Sequence, residues 1–439
     1  MKNNGSLLLS SWSQIRLYVF GEACVNVAVR ALQIYCTWLF IKKTGEEGLL
    51  AKILIVSWVT SLVLLPVWGV MLQRYRKERI ILLATLLCAM SSWGAWIAVS
   101  VQASTLMYAV LLFSTFLSAI ATSALFPVGT PILAEIASGS EEVHRAIRLK
   151  SAMFIVNLLC GPTLAGLMIG QFGGTAALIL SVIASVLALA LVFIFNQSRR
   201  LVVRVHQSNS RGGREQGFFR ELYTGVRRVF LIKAELTIAL ASLFANMLYV
   251  PFLYLLLPSK ILGDGFSMFD LAIVEISLGV GVTLTATYLI KFIKKKFSAH
   301  GAAILGMVLI GSAVFLCANT KNLILICLCS AELGVGLVLF NVTVNSRRAV
   351  AIPVEYFALM ESTLLFICTA AAPLGIWISQ QGLHYYPPDR LIVLGSEVFL
   401  IAIATITLSK PLRRMLNGAE DSVPYYLSTN RDLFDGDIK

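Results

Sequence analysis

Charge is scarce in this chain. Of its 439 residues only 13% are Asp, Glu, Lys or Arg, against 58% hydrophobic, a balance that leaves too little polar surface to keep a fold of this size in water. Histidine is scarcer still, and His144, His206, His300 and His384 show no spacing that would let two of them share an ion, so no metal site is expected. No GxxxxGK[ST] loop occurs, which argues against direct use of ATP, and no other pattern points to an enzyme. The eight cysteines, Cys24, Cys36, Cys88, Cys160, Cys317, Cys327, Cys329 and Cys368, all fall inside apolar stretches, where they read as packing residues and not as a disulfide framework. The opening residues offer only Leu7-Leu8-Leu9, too short for a signal-peptide core, so no cleaved leader is expected. The net charge of +13 meets no nucleic-acid motif and is assigned to membrane topology and anionic lipid.

What the chain has in quantity is long apolar runs. A spanning helix takes about 20 largely apolar residues. Hydropathy and turn residues give twelve such runs, at 14–41, 49–72, 80–100, 104–130, 149–171, 175–196, 236–257, 270–292, 300–318, 322–345, 356–379 and 391–409. The expected fold class is therefore an all-α membrane protein of twelve transmembrane helices. A polar interval divides them into a six-helix bundle at 1–196, a linker at 197–234, a second bundle at 235–409 and a tail at 410–439. The centre of the linker, Gln207 to Arg214, is polar and glycine-bearing and is expected to lack fixed structure. From Phe218 onward, Leu222, Val226, Val229 and Ile232 recur at helical spacing between arginines. That pattern suits a basic helix lying on the membrane surface, and equally a solvated lead-in to the seventh helix.

Loop charge sets the orientation. Of 36 Lys and Arg, one set of loops and helix ends holds only Lys42, Lys43, Lys52, Lys260, Lys321 and Arg390; the other side, richer in both, is the cytoplasmic one, with both termini on it.

Polar residues inside an apolar run cost several kcal/mol unless paired or wetted, so they mark functional sites by default. The first run carries Glu22, Asn26, Arg30 and Gln33. Steps of four, eight and eleven residues rotate by about 40, 80 and 20 degrees on a helix, which puts all four on one stripe facing a water-filled cavity. Glu22 and Arg30 lie about 12 Å apart along the axis, too far to pair directly. Arg30 must then be neutralised by Glu332 or by substrate; it serves either transport or a permanent structural bridge with one glutamate.

The two halves also match. Gly161-Pro162 with Gly166 in the fifth helix corresponds to Pro373-Leu374-Gly375 in the eleventh, each after basic residues (Arg145, Arg148, Lys150; Arg347, Arg348) taken as a cytoplasmic loop. Parallel six-helix repeats of this kind are the plan of alternating-access carriers. After the second helix, Gly69-Val70-Met71-Leu72-Gln73-Arg74-Tyr75-Arg76-Lys77-Glu78-Arg79 resembles the loop motif of the major facilitator superfamily, matching at Gly69, Arg74, Lys77 and Arg79. It departs at Gln73, where the family carries Asp, and at Arg76, where it carries a second Gly, so the charge relay assigned to that Asp is not carried over. A plain basic loop on the inner side is the other reading of these residues. Asn157, Gly161, Pro162, Ala165 and Gly166 resemble in part the fifth-helix motif of the proton-antiporting, exporting branches. A Gly-Pro pair either bends the helix for gating or simply allows close packing. Ala124-Leu125-Phe126-Pro127, Phe219 to Arg227, and Asn341-Val342-Thr343-Val344-Asn345 with Pro353 and Glu355 are similar to the enterobactin exporter-like efflux permeases.

This resemblance implies a two-times-six helical carrier whose first, fourth, seventh and tenth helices line a central cavity. Asn246 and Tyr249 in the seventh, and Glu332 and Asn341 in the tenth, would join Glu22, Asn26, Arg30 and Gln33 there. Competition between proton, substrate and Arg30 for Glu22 or Glu332 would suffice to couple the two fluxes. Glu275 and Glu361 are read as structural, Glu361 pairing with basic residues near it. The expected function is a monomeric, proton-coupled secondary transporter of the bacterial inner membrane. It would export a small amphipathic metabolite, siderophore, peptide antibiotic or drug as an antiporter, with no cofactor beyond the proton gradient. An importer on the same scaffold, and a non-transporting scaffold or receptor working through the linker and the acidic tail from Glu420 to Asp437, are the alternatives.

Overall fold

The computed structural model describes residues 10–43, 45, 47–101, 104–137, 140–206, 218–418, 425–430 and 432–435, and among them no strand occurs. The helices are α1 (Ser11–Thr37), α2 (Glu47–Arg74), α3 (Lys77–Val101), α4 (Ser104–Ile136), α5 (Ser140–Phe172), α6 (Thr175–His206), α7 (Phe218–Leu231), α8 (Lys233–Pro251), α9 (Leu257–Gly263), α10 (Met268–Leu284), α11 (Ile290–Lys296), α12 (Ala299–Ala318), α13 (Leu323–Ala351), α14 (Val354–Leu383), α15 (Pro388–Leu408), α16 (Lys410–Asn417), α17 (Tyr425–Thr429) and α18 (Asp432–Asp435). Eleven of the described helical segments are long and apolar enough to cross a membrane, among them Ser11–Ile41, Lys77–Ser100, Ala299–Ala318 and Pro388–Leu408. The fifth expected span falls on α5, whose described apolar stretch is Thr163–Phe172; the side chains of 154–160 lie outside the described residues.

Polar caps stand where the spans begin. Ser10 accepts from the Ser13 amide and Ser298 from Gly301. Asn322 accepts from the Ile324 and Leu325 amides, and Ser267 forms a reciprocal capping box with Asp270. Each occupies amide groups that the first helical turn leaves without a partner. Three wider π turns interrupt the spans, at Trp38–Lys43, Phe252–Leu256 and Thr285–Leu289. The second follows Pro251, whose missing N–H removes a donor from the ladder and lets its register slip. Sequence periodicity is blind to such slips.

The chain forms two compact units, one of Met1–Trp38 with Val63–Gln216, the other of Leu39–Leu62 with Gly217–Lys439. In the first, α1 packs against α5 and α6, and α3 against α4 and α6. Its polar seam is internal: Ser181 donates to the Ala28 carbonyl at 2.8 Å and meets the Ser92 hydroxyl at 2.9 Å, and the Trp68 indole donates to Ser123. In the second, α13 packs against α10 and α12, and α8 against α14 and α15. Glycine makes these crossings possible. A side chain at Gly281 or Gly334 would enter the backbone of the facing helix at Ala331 or Leu278, the small-residue contact that replaces hydrophobic drive between helices in lipid.

Candidate functional site

The polar stripe of α1 lies in the first unit, and all four residues on it are half-buried. Glu22 pairs with Lys150 of α5 at 3.3 Å, the side chains 14% and 26% exposed. The other oxygen of Glu22 is buried without a hydrogen-bond partner among the described residues. Lys150 reaches Glu22 by running across Gly129 of α4, with its ammonium in the space a side chain there would fill and the Tyr18 hydroxyl beside it. This corrects the expectation that Lys150 belongs to a basic loop: α5 begins at Ser140, so Lys150 is almost three turns inside a helix. Asn26 donates to the Glu22 carbonyl of its own helix at 3.0 Å, and Arg30 donates to Gln33 at 3.1 Å. Gly161 of α5 sits on Arg30, 3.1 Å from where its own Cβ would stand to the arginine Cβ. Close packing is thus one task of that glycine.

The residues expected in the second unit each bond to a group other than one another. Asn246 of α8 donates to the Cys368 carbonyl of α14 at 2.9 Å. Glu332 of α13 accepts from Ser312 of α12 at 2.6 Å. Asn341 is exposed and donates to the Leu337 carbonyl one turn back. Gly375 of α14 faces the Met247 carbonyl of α8 so closely that a side chain would overlap it, and Pro373 lies inside α14.

Two charge clusters occupy helix ends. In the first unit, Arg199 at the end of α6 donates to Glu78 of α3 at 3.2 Å and to Glu135 of α4 at 2.6 Å, while Lys77 donates to Glu135 at 2.7 Å. In the second, Arg348 in the last turn of α13 donates three times to Glu235 in the first turn of α8, at 2.8 to 3.1 Å, and once to Glu361 of α14. Arg348 and Glu235 are 1% and 0% exposed. At the other end of the second unit, Lys260 is buried between Asp264 and Asp389, at 3.0 and 2.6 Å. Among the described residues no group of three His, Cys, Asp or Glu could hold a metal ion.

The Major Facilitator Superfamily profile matches residues 23–375. The chain belongs to the major facilitator superfamily. Comparison with curated proteins returns no match. Solved structures share its fold: a bacterial homologue of the iron transporter ferroportin in an inward-facing state (TM-score 0.70, 10% identity, 91% of this chain and 99% of that one) and a D-xylose-proton symporter (0.67, 12%, 90% and 97%). An auto inhibited POT family peptide transporter also aligns (0.67, 13%, 94% and 99%). Superfamily membership makes this a transporter fold spanning a membrane many times.

Lys77 of the loop motif pairs with Glu135, and Glu78, which the resemblance leaves unassigned, holds Arg199. The acidic partners of this end are thus Glu78 and Glu135. The expected loop is also shorter than the motif: Gly69 to Arg74 continue α2, and only Tyr75 and Arg76 are non-helical. Arg79 is exposed, while the side chains at Gly69, Arg74, Asn157 and Pro162 lie outside the described residues; Gly166 is buried. Sequence reasoning missed Lys150, Glu235, Arg199 and Tyr426 as partners. One signal was available, an acidic residue in the first turn of an otherwise apolar span, as at Glu78 and Glu235, which asks for a cation at a neighbouring helix end.

Proposed function

We propose that this superfamily member is a proton-coupled exporter. It would expel a small amphipathic metabolite, siderophore, peptide antibiotic or drug by alternating access, in the manner of the enterobactin exporter-like permeases its sequence resembles. It would sit in the bacterial inner membrane with both termini cytoplasmic and work as a single chain with no cofactor other than the proton gradient. The observation that carries this reading is the Glu22–Lys150 pair on the polar stripe of α1. A half-buried ion pair is held together only while both members are charged; neutralising one leaves the other less compensated. A proton arriving at Glu22 therefore releases Lys150 and changes what α1 and α5 can bind, and a substrate that competes for either charge excludes the proton. Mutual exclusion of proton and substrate is the thermodynamic condition for antiport.

The test is direction of transport in inside-out membrane vesicles with ethidium as the amphipathic probe. An acid vesicle interior should drive ethidium inward, and collapse of the pH gradient should abolish uptake. Accumulation only when the gradient is reversed would establish the importer instead.

A further inference from the structure

The C-terminal segment carries features that transport does not use. Its helices α17 and α18 have five and four residues, far below the dozen or so that an isolated helix needs in water. Their order must come from what they dock on. Tyr426 is 0% exposed, an unusual position for a residue in a polar tail, and its hydroxyl donates to Glu235 at 2.8 Å. The carboxylate it meets is the one that Arg348 holds, so the tail contributes a fourth hydrogen bond to Glu235 within a cluster of one cation and two acids, Arg348, Glu235 and Glu361. Hydrogen bonds to a buried carboxylate are the strong kind.

A second fastening lies further along. Arg228 of α7, buried, stacks over the Tyr356 ring of α14 at 3.9 Å and donates to the Leu433 carbonyl at 3.1 Å. The tail is thereby tied to the linker helix as well as to the bundle. The chain leading to it is also pinned, with Ser409 against Thr237 at 2.9 Å and the His300 amide donating to Asn417 at 3.1 Å. Tyr426 and Leu433 thus bridge the beginnings of α8 and α14 and the ends of α13 and α7.

We propose that α17 and α18 form an intramolecular latch on the second unit, in which Tyr426 plugs the Arg348–Glu235–Glu361 cluster and binds the adjoining ends of α8, α13 and α14 together. Withdrawal of the tail removes one donor from the buried carboxylate and opens the cluster to water, so the three helix ends loosen as a group. Any process that captures the tail would then act on these helix ends. The latch does not depend on what the protein transports or on the direction of transport.

Hydrogen–deuterium exchange on the full chain in lipid nanodiscs tests it without a substrate. Amides of 426–430 should exchange at least about tenfold more slowly than in a free peptide of residues 419–439. Tyr426→Phe keeps the ring and deletes the hydroxyl. It should raise exchange about tenfold, the equivalent of one charge-assisted hydrogen bond, both in the tail and at 232–238, 346–352 and 356–362, while α12 stays unchanged. A chain truncated after Gly418 should show the same loosening, reversed by adding the 419–439 peptide in trans. Free-peptide exchange of the tail in the unmutated protein would overturn the latch. So would helix ends that exchange equally fast with and without the tail, or a Tyr426→Phe chain that behaves as the parent does.

Discussion

Replacing Arg348 with methionine keeps most of the aliphatic stem and deletes the charge. Glu235 is fully buried and takes three of its hydrogen bonds from Arg348, two from Nε and one from Nη2. With methionine in place, the Tyr426 hydroxyl is the donor that stays. Breaking a buried ion pair by removing one partner costs about 3–5 kcal/mol, because the other charge stays behind without compensation. Glu361, which is 28% exposed, can turn to water and adds little to that loss. A double variant with Glu235→Gln removes the stranded charge, and its cost should fall to about 1–2 kcal/mol, since replacing both members of a buried pair is far cheaper than replacing one. The assay is equilibrium unfolding in mixed micelles of dodecylmaltoside and SDS, followed by tryptophan fluorescence. A single variant within about 1 kcal/mol of the parent, or a double variant costing the sum of its singles, would refute the cluster as a coupled unit.

Other outcomes follow from particular side chains. Gly129→Ala puts a methyl group where the Lys150 ammonium lies; the flexible lysine end should swing away at a cost under about 1 kcal/mol, and the variant should show the same transport defect as Lys150→Met. Gly375→Ala meets the Met247 carbonyl, backbone that cannot yield, and should cost about 1–3 kcal/mol in the same unfolding assay. Burial, and then the neighbouring Glu235 carboxylate, hold the Tyr426 phenol well above its usual value of 10.0. A raised phenol contributes docking stability that is complete below the ordinary value and is lost progressively as pH climbs from there through the raised one. The tyrosinate difference spectrum between the parent and Tyr426→Phe should therefore show one late-titrating group, and an ordinary titration there would contradict the docking. A protease site introduced at 208–213 should be cut only from the cytoplasmic side, and cutting of intact spheroplasts from outside would reverse the topology.

The spans were the legible part of the sequence because lipid imposes one demand that outweighs all others, a run of apolar residues long enough to satisfy its own backbone. The expected runs at 300–318 and 391–409 lie within a few residues of Ala299–Ala318 and Pro388–Leu408. Partners were harder to read. The stripe of Glu22, Asn26, Arg30 and Gln33 follows from helical geometry alone, but the cation for Glu22 stands on α5, far away in sequence and dictated by which helices touch. Density of charge misled there: with Glu141, Glu142, Arg145 and Arg148 around it, Lys150 looks like loop when it is the inward member of a long helix. Arg348 meets the expectation that Glu361 pairs with a basic residue near it, but its chief partner, Glu235, lies 113 positions earlier and was hidden by the same limit. In the acidic tail, Tyr426 carries no local signal at all; its burial depends on a cluster that three other helices assemble.

Proton coupling at Glu22 is the central claim, and one measurement bears on it directly. Purified protein in liposomes with an imposed pH gradient, and ethidium as the probe, allows the parent, Glu22→Gln and Glu332→Gln to be compared at equal incorporation. Glutamine holds Glu22 in its neutral shape, unable to trade a proton for Lys150. Gradient-driven transport should disappear in Glu22→Gln and persist in Glu332→Gln, whose carboxylate is occupied by Ser312. Gradient-driven transport that survives in Glu22→Gln and is lost in Glu332→Gln would place coupling on α13 and contradict the assignment to α1.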